Sequence, residues 1–215
     1  MRDVVTLDGP AASGKSSVAR RIAARLDVPF VSSGMLYRAA TWLAAEAGAD
    51  AGDEERLVRL LGGHRVRLEP HRDGDRIVID GRDVTTELHT DRIDGAVSAV
   101  AAWPRVRAWV NERLREIPGP FVIDGRDMGR DVYPDARVKV YLTADAEVRA
   151  ARRVGERAAD LGAVADAIRR RDASDARQSV PADDAASIDT SSLTLDEVVA
   201  RVMELVRERW TEEGR

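Results

Sequence analysis

Cysteine is absent from the 215-residue sequence, histidine occurs three times, and aromatic residues make up 4% of the chain. Without cysteine, the chain has no disulfide framework, no thiol nucleophile and no cysteine-bound zinc site. No apolar run approaches the ~20 residues that a membrane-spanning helix needs. The N-terminus leads straight into a strand-like segment, with no signal peptide before it. We therefore expect a cytoplasmic protein that does not associate with membranes.

No charge of one sign dominates the sequence. Its 34 basic and 38 acidic residues give a net charge of -4, so no global basic field draws the chain onto nucleic acid. Hydrophobic residues make up 44% of the chain, which excludes an intrinsically disordered protein. Lysine is scarce as well, because every basic residue except Lys15 and Lys139 is an arginine. Against that background, the lysine kept at position 15 is a signal.

Apolar segments of two kinds alternate along the sequence. Short β-branched runs predict strands, and apolar residues at helical spacing predict the helices between them. This alternation indicates an α/β fold of three layers, α/β/α, with a mainly parallel sheet covered on both faces. The predicted strands are residues 4–7, 30–31, 121–124, 138–142 and 187–189, and the predicted helices are residues 16–26, 34–47, 53–61, 90–117, 146–160, 163–172 and 194–210.

Local turn and capping signals refine this pattern. In residues 62–87, apolar and charged residues alternate around the turn signal Asp73-Gly74, which predicts an antiparallel hairpin with one solvated face. Because the hairpin interrupts the strand–helix alternation, we interpret it as a small inserted subdomain. Trp103-Pro104 predicts a break within residues 90–117, and Thr194 with Glu197 has the spacing of a capping box.

Residues 9–16, Gly-Pro-Ala-Ala-Ser-Gly-Lys-Ser, match the phosphate-loop pattern G-x-x-x-x-G-K-[ST] at every fixed position, between a predicted strand and a predicted helix. Glycines let such a loop wrap tightly, so that backbone N–H groups point at phosphate oxygens beside a helix N-terminus. Lys15 supplies a compact charge for the β- and γ-phosphates, and the Ser16 hydroxyl can bind Mg²⁺. A turn that merely connects strand and helix is the plainer interpretation, and the complete match favours phosphate binding. The predicted ATP-binding residues are Gly9, Pro10, Ala11, Ala12, Ser13, Gly14, Lys15, Ser16 and Ser17.

A phosphate loop alone does not separate kinases, GTPases and motor proteins. Guanine-specific GTPases need an Asn-Lys-x-Asp motif to read the base. The only other lysine, Lys139, lies in an apolar predicted strand with the wrong neighbours, which argues against a GTPase.

Four motifs in series give the sequence a family resemblance. They are residues 8–10 (Asp-Gly-Pro), 33–38 (Ser-Gly followed by Tyr-Arg), 103–107 (Trp-Pro-Arg-Val-Arg) and 124–129 (Asp-Gly-Arg-Asp-Met-Gly). Each is weak alone, but in this order and over nearly the whole chain they resemble bacterial cytidylate kinases. The resemblance implies the P-loop nucleoside monophosphate kinase fold, with a five-stranded parallel core and a mobile helical lid. It also implies a single kinase domain, with its core at residues 1–32, 118–148 and 178–215, a monophosphate-binding region containing the hairpin at 33–117, and the lid at 149–177.

The resemblance assigns an acceptor site for CMP. Arg38 and Arg126 match phosphate-binding arginines, whose planar forks suit a dianionic phosphate. Cytosine has an amino donor at N4 and acceptors at N3 and O2, so a carboxylate suits one edge and an arginine suits the other. By resemblance, Asp127 binds the N4 amine and Arg107 binds the N3 and O2 edge. Uracil opposite Asp127 would leave a polar group unpaired, and this would weaken binding by ~1–3 kcal/mol or more. The residues assigned to CMP are Ser33, Arg38, Ser98, Arg107, Arg126 and Asp127, with Arg171, Asp175 and Arg177 as sugar contacts.

An arginine-rich stretch follows these motifs and suits the neutralisation of transferring phosphates. Most of its side chains are expected to form a solvated face, and the resemblance singles out Arg153 and Arg157, with Lys15 and Arg126, as catalytic residues. Arg177 comes one residue early for the family pattern, so it matches only if a deletion precedes it. The stretch comprises Arg149, Arg152, Arg153, Arg157, Arg169, Arg170 and Arg171.

Asp124 ends a buried predicted strand, where an open α/β sheet places its ligand residues. We assign it to the outer coordination sphere of Mg²⁺ or to the phosphate region. The metal prediction thus consists of Ser16 as a ligand and Asp124 near it.

The sequence therefore predicts an ATP- and Mg²⁺-dependent kinase that converts CMP and dCMP to the diphosphates. The three histidines lie in or beside the hairpin, and the acceptor phosphate is already a nucleophile that needs no general base. A monomer is the family expectation. Two alternatives stay open: a P-loop kinase for another small acceptor, such as a different nucleotide or shikimate, and a nucleotide-binding regulatory protein without turnover, which the altered segment after the lid suggests.

Overall fold

The computed structural model describes residues 2–156, 161–175 and 179–211. The chain forms two compact units, Met1–Phe30 with Gly119–Arg215, and Val31–Pro118. Its strands are β1 Arg2–Asp8, β2 Phe30–Ser32, β3 Val66–Glu69, β4 Arg76–Ile79, β5 Arg82–Asp83, β6 Phe121–Asp124, β7 Ala136–Thr143 and β8 Ala186–Asp189. Its helices are α1 Lys15–Leu26, α2 Gly34–Glu46, α3 Glu54–Gly62, α4 Asp91–Ala101, α5 Pro104–Arg115, α6 Ala146–Glu156, α7 Leu161–Asp175 and α8 Leu195–Thr211. No helix in these described stretches is long and apolar enough to cross a membrane.

The core of the first unit lies on a five-stranded sheet with the order β2-β6-β1-β7-β8. Strand β1 pairs in parallel with β6 and β7, and β7 pairs in parallel with β8. Residues of β1, β6 and β7 are buried almost without interruption, as expected where helices cover both faces of a parallel sheet. Helices α1 and α8 join this core through Ile22 and Val202. The predicted α/β fold with a mainly parallel, five-stranded sheet is confirmed.

The second unit contains helices α2 to α5 and a three-stranded sheet with the order β3-β4-β5. In the antiparallel β3–β4 hairpin, Val66 pairs with Ile79 and Leu68 pairs with Ile77. These four side chains are buried, whereas Arg67 between them is exposed. This alternation confirms the predicted hairpin insert, to which β5 adds a short third strand.

Candidate active site

The phosphate loop, residues 9–16, runs from the end of β1 into the first turn of α1. Gly9 has a φ of 145°, and a Cβ on it would lie 2.1 Å from the carbonyl oxygen of Leu142 in β7. Only glycine fits this close approach. Ala12 (φ 58°) and Gly14 (φ 88°) also have positive φ, which suits a tightly wound loop whose backbone N–H groups can bind an anion. The loop therefore has the backbone of an anion-binding cradle.

Two buried polar side chains of this loop fit a phosphate ligand. The Lys15 ammonium donates to the carbonyl oxygen of Pro10 at 2.8 Å, which keeps it close to the loop backbone. Ser13 is 1% exposed, and its hydroxyl has no hydrogen-bond partner among the described residues. A buried polar group without a partner is unfavourable by ~1–3 kcal/mol, and a phosphate oxygen in the cradle would supply that partner.

Ser16 and Asp124 place two side-chain oxygen groups next to each other, one in the first turn of α1 and one at the end of β6. The Ser16 hydroxyl donates to the Asp124 carboxylate, and Asp124 is buried. Hydroxyl and carboxylate oxygens suit Mg²⁺, which binds through one or two carboxylates together with substrate phosphates and water. The pair therefore fits a magnesium ion beside the phosphate cradle.

A tight turn that contains Arg126 and Asp127 follows β6 directly. Met128–Val132 then form a single π-helical turn, which the apolar pattern of the sequence does not predict. Asp127 is buried and Arg126 is half-buried. Because Leu7 of β1 pairs with Asp124 of β6, the phosphate loop and this turn leave adjacent strands at the same edge of the sheet. That edge is where parallel α/β sheets bind their ligands.

Arg149 in α6 is buried and is thus an exception to the solvated face that the sequence predicts for most arginines of this stretch. Its guanidinium donates to the carbonyl oxygen of Ala11 at 3.1 Å and to that of Ala144 at 2.9 Å. It also forms a bidentate ion pair with the carboxylate of Asp172 in α7, at 3.1 and 2.6 Å. Arg149 thus fastens α6 and α7 to the backbone of the phosphate loop.

We expect Arg149→Met to lower the free energy of unfolding by about 2–4 kcal/mol, because it breaks a buried pair and leaves the Asp172 carboxylate partly desolvated. In a chain of this length the melting temperature should fall by about 5–12 °C, measured by circular dichroism. Arg169→Met is the matched control, since Arg169 is 61% exposed and its pair with Asp166 should contribute less than about 1 kcal/mol. Equal melting temperatures for the two variants would contradict the fastening role.

The second unit contains an arginine pair predicted for the acceptor. Arg38 in α2 donates to the carbonyl oxygen of Leu88 at 2.8 Å and forms an ion pair with Asp94 in α4. Arg107 in α5 lies over the ring of Tyr37 in α2, with 5.7 Å between the guanidinium carbon and the ring centroid. Both guanidinium groups are half-buried and held by neighbouring helices, so each has a defined position rather than a free surface conformation.

A model of the cytidylate kinase family matches residues 5–208 of the sequence. The chain belongs to the cytidylate kinase family. Over 207 residues it is 57% identical to a cytidylate kinase of Thermus thermophilus, in an alignment that covers 96% of this chain and 100% of that protein. Over 200 residues it is 51% identical to a cytidylate kinase of Deinococcus radiodurans, covering 93% of this chain and 97% of that protein. The family predicted from four motifs in series is confirmed.

A solved structure shares the architecture at much lower sequence identity. It is an uncharacterized protein from Eubacterium ventriosum, with a TM-score of 0.53 and 11% identity, and the match covers 96% of this chain and 99% of that chain. At such an identity the likeness concerns the fold alone.

Other residues predicted for the cytidylate kinase site lie at helix positions. Ser33 is buried at the start of α2, and Ser98 is exposed on α4. Ser17 is exposed in the first turn of α1, and Arg153 is half-buried on α6. The roles of these side chains stay predictions.

For four of the predicted site residues, the structure describes either no atoms or only the backbone. Arg157 and Arg177 are not among the described residues. Arg171 and Asp175 lie in α7, and their side chains are not described. Their assignment to phosphate and sugar remains a prediction.

The sequence analysis assigns no role to Asp8 and no individual role to Arg149, although both residues are buried. Asp8 contacts Gly129 across 121 positions of the chain, and Arg149 contacts Ala11 across 138 positions. The only local signals are a carboxylate that ends the first apolar run and an arginine that opens the arginine-rich stretch. Neither signal indicates a buried partner so far away.

Proposed function

We propose that the protein transfers the γ-phosphoryl group of ATP to CMP, forming ADP and CDP, and that dCMP is accepted in the same way. The observation that supports this most strongly is the shared edge of β1 and β6. The phosphate loop leaves one strand and the turn with Arg126 and Asp127 leaves the other, with Leu7 and Asp124 paired between them. The loop proposed to bind ATP and the turn proposed to bind CMP therefore start next to each other, and phosphoryl transfer requires that the two nucleotides be held close together.

On the donor side, the loop N–H groups, the Lys15 ammonium and the Ser13 hydroxyl hold the phosphates of ATP. Ser16 and Asp124 would hold Mg²⁺, which would supply positive charge to neutralise the phosphates. These residues thereby position the γ-phosphorus for attack by the acceptor, and they reduce the negative charge on the ATP phosphates, which repels the acceptor phosphate. Arg153 and Arg157 add positive charge from the lid as the phosphoryl group moves.

On the acceptor side, Arg38 and Arg126 hold the phosphate of CMP, and the Asp127 carboxylate accepts a hydrogen bond from the cytosine N4 amine. Arg107 donates to the N3 and O2 edge of the base. Because Asp127 is buried, the site selects cytosine over uracil: the O4 carbonyl of uracil would face the buried carboxylate without a hydrogen-bond partner, which is unfavourable. Further contacts come from Ser33 and Ser98, and the sugar is bound by Arg171, Asp175 and Arg177.

The transfer needs no general base. A negatively charged phosphate oxygen of CMP attacks the γ-phosphorus, and the bond from that phosphorus to the bridging oxygen of ADP breaks. Alignment, charge neutralisation and exclusion of water are what the protein supplies. We further propose that it acts as a cytoplasmic monomer, with ATP and CMP or dCMP rather than nucleic acid or membranes as its partners.

Coupled measurement of ADP release, with chromatographic identification of CDP, tests this function. ATP and Mg²⁺ should give steady ADP production only when CMP or dCMP is added. Faster turnover of AMP or shikimate would establish the alternative of a kinase for another small acceptor. Tight ATP binding with no acceptor-dependent turnover would instead establish a regulatory protein, and either result would contradict the proposal.

A further inference from the structure

Asp8 is the last residue of β1 and immediately precedes the phosphate loop. Its side chain is buried, with the residue 6% exposed. One carboxylate oxygen accepts a hydrogen bond from the backbone N–H of Met128 at 2.9 Å, and the other accepts one from the N–H of Gly129 at 2.8 Å. The carboxylate thus joins the entrance of the phosphate loop to the turn after β6, with each oxygen committed to a different residue.

The turn that Asp8 holds lies close to β1. Its backbone is closed by hydrogen bonds from the Asp131 N–H to the Asp127 carbonyl at 2.8 Å and from the Tyr133 N–H to the Met128 carbonyl at 2.7 Å. A Cβ on Gly129 would lie 2.7 Å from the hydroxyl oxygen of Thr6, so only glycine lets the turn approach the strand. Displacement of residues 128 and 129 would therefore move Asp127 and Arg126, which precede them directly.

Keeping a carboxylate at this position is unfavourable for folding. The pKa of Asp8 is raised from 3.8 to about 6: burial is the largest cause, the nearby charge of Asp127 acts in the same direction, and the two backbone N–H groups and Lys15 partly oppose the rise. Because the folded-state pKa is the higher one, the folded protein binds more protons than the unfolded chain between pH 4 and 6. Its stability therefore falls as pH rises through that window, and ionised Asp8 reduces stability at neutral pH. A buried carboxylate that lowers the stability of the fold indicates a role in the active site rather than in folding.

We propose that Asp8 is a positioning residue for the acceptor: its carboxylate sets the turn containing Arg126 and Asp127 at a fixed place relative to the phosphate loop. This inference rests on the proposed transfer to CMP. Asp8 touches neither nucleotide and acts through the backbone of residues 128 and 129. A carboxylate is required because it offers two acceptor oxygens to two diverging N–H groups, whereas an amide offers one.

The test is Asp8→Asn, which keeps the shape and places an NH₂ group against one of the two N–H donors. We expect kcat/KM for CMP to fall by about 10- to 100-fold, because a charge-assisted hydrogen bond is lost and a donor faces a donor. The preference for CMP over UMP should narrow by about fivefold or more, since Asp127 is displaced. The dissociation constant of ATP without acceptor, measured by calorimetry, should change by less than about threefold, because the loop N–H groups and Lys15 are retained.

Asp3→Asn is the matched control, since Asp3 lies on the same strand but is exposed and paired with Arg137. It should leave kcat/KM for CMP and the CMP preference unchanged. An equal loss for CMP and UMP together with a lower melting temperature would show a purely structural role for Asp8. Unchanged kinetics of Asp8→Asn would also overturn the inference. Absence of CMP turnover in the unaltered protein would overturn the proposed function itself, so the two failures are distinguishable.

The pH dependence gives an independent readout. The ratio of kcat/KM between the unaltered protein and Asp8→Asn should fall towards one below about pH 6, where protonation removes an acceptor oxygen from Asp8 itself. The second ionisation of the CMP phosphate, near pH 6, affects both proteins and cancels in the ratio. The other groups that interact electrostatically with Asp8 are Asp127, Lys15, Arg130 and Tyr141, and they are common to both. A ratio that stays constant from pH 5 to 8 would contradict the proposal.

Discussion

Lys15→Met is expected to lower kcat for phosphoryl transfer to CMP by about 10²- to 10³-fold, the effect of removing one preorganised charge from a transition state. Lys15 is 8% exposed and bonded to the loop at Pro10, so its ammonium is already placed beside the cradle. Methionine keeps the aliphatic stem and removes the ammonium group with its charge and its hydrogen bond to Pro10. Lys15→Arg should not restore activity, because a guanidinium is too broad for a site shaped around an ammonium. Steady-state kinetics at saturating ATP and CMP measure both variants.

The chain offers a matched control in its second lysine. Lys139 is also buried, but its ammonium pairs with the carboxylate of Asp184 at 2.8 and 3.0 Å. Lys139→Met should lower the melting temperature and change kcat by less than about threefold, since a structural pair and not a phosphate contact is lost. If the two methionine variants lost activity equally, Lys15 would have no special part in the transfer.

Asp127→Asn is expected to lower kcat/KM for CMP by about 10- to 100-fold, because a hydrogen bond from the cytosine amine to a charged acceptor is worth about 1.5–3 kcal/mol. The amide can turn its NH₂ group towards the O4 of uracil, so turnover of UMP should not fall in parallel. The ratio of the two kcat/KM values should therefore drop by at least about tenfold. Parallel assays with CMP and UMP give this ratio directly.

Asp131→Asn is the control for that substitution. Asp131 belongs to the same π-helical turn, but its carboxylate is exposed and pairs with the neighbouring Arg130 at 2.8 Å. Its CMP-to-UMP ratio should equal that of the unaltered protein. A ratio that falls equally in both variants would show that disturbance of the turn, and not base recognition by Asp127, sets the selectivity.

The features predicted well from the sequence depend on residues that are close along the chain. The phosphate loop follows from glycines and a lysine within eight positions. The capping box at the start of α8 follows from a spacing of three, and the Glu197 N–H donates to the Thr194 hydroxyl at 3.3 Å as expected. The helix break at Trp103-Pro104 is likewise confirmed, with α4 ending at Ala101 and α5 beginning at Pro104. Each of these signals is complete within one or two helical turns.

The features that escaped sequence reasoning depend on contacts between distant segments. The apolar pattern predicts the strands but not the order that places β6 beside β1, and the family resemblance predicts only that the core has five parallel strands. The ion pair between Arg38 and Asp94 joins two helices that are 56 positions apart. The π-helical turn depends in the same way on the distant Asp8 carboxylate. Such arrangements are fixed by tertiary packing, which periodicity does not encode.

Selectivity among nucleoside monophosphates tests most directly whether the buried Asp127 carboxylate recognises the N4 amine of cytosine. The measurement is kcat/KM of the unaltered protein for CMP, UMP and AMP, at one concentration of ATP and Mg²⁺. If Asp127 accepts from the cytosine N4 amine, CMP should exceed UMP by at least about tenfold, and AMP should be slower than CMP. Turnover of UMP or AMP as fast as that of CMP would contradict the account.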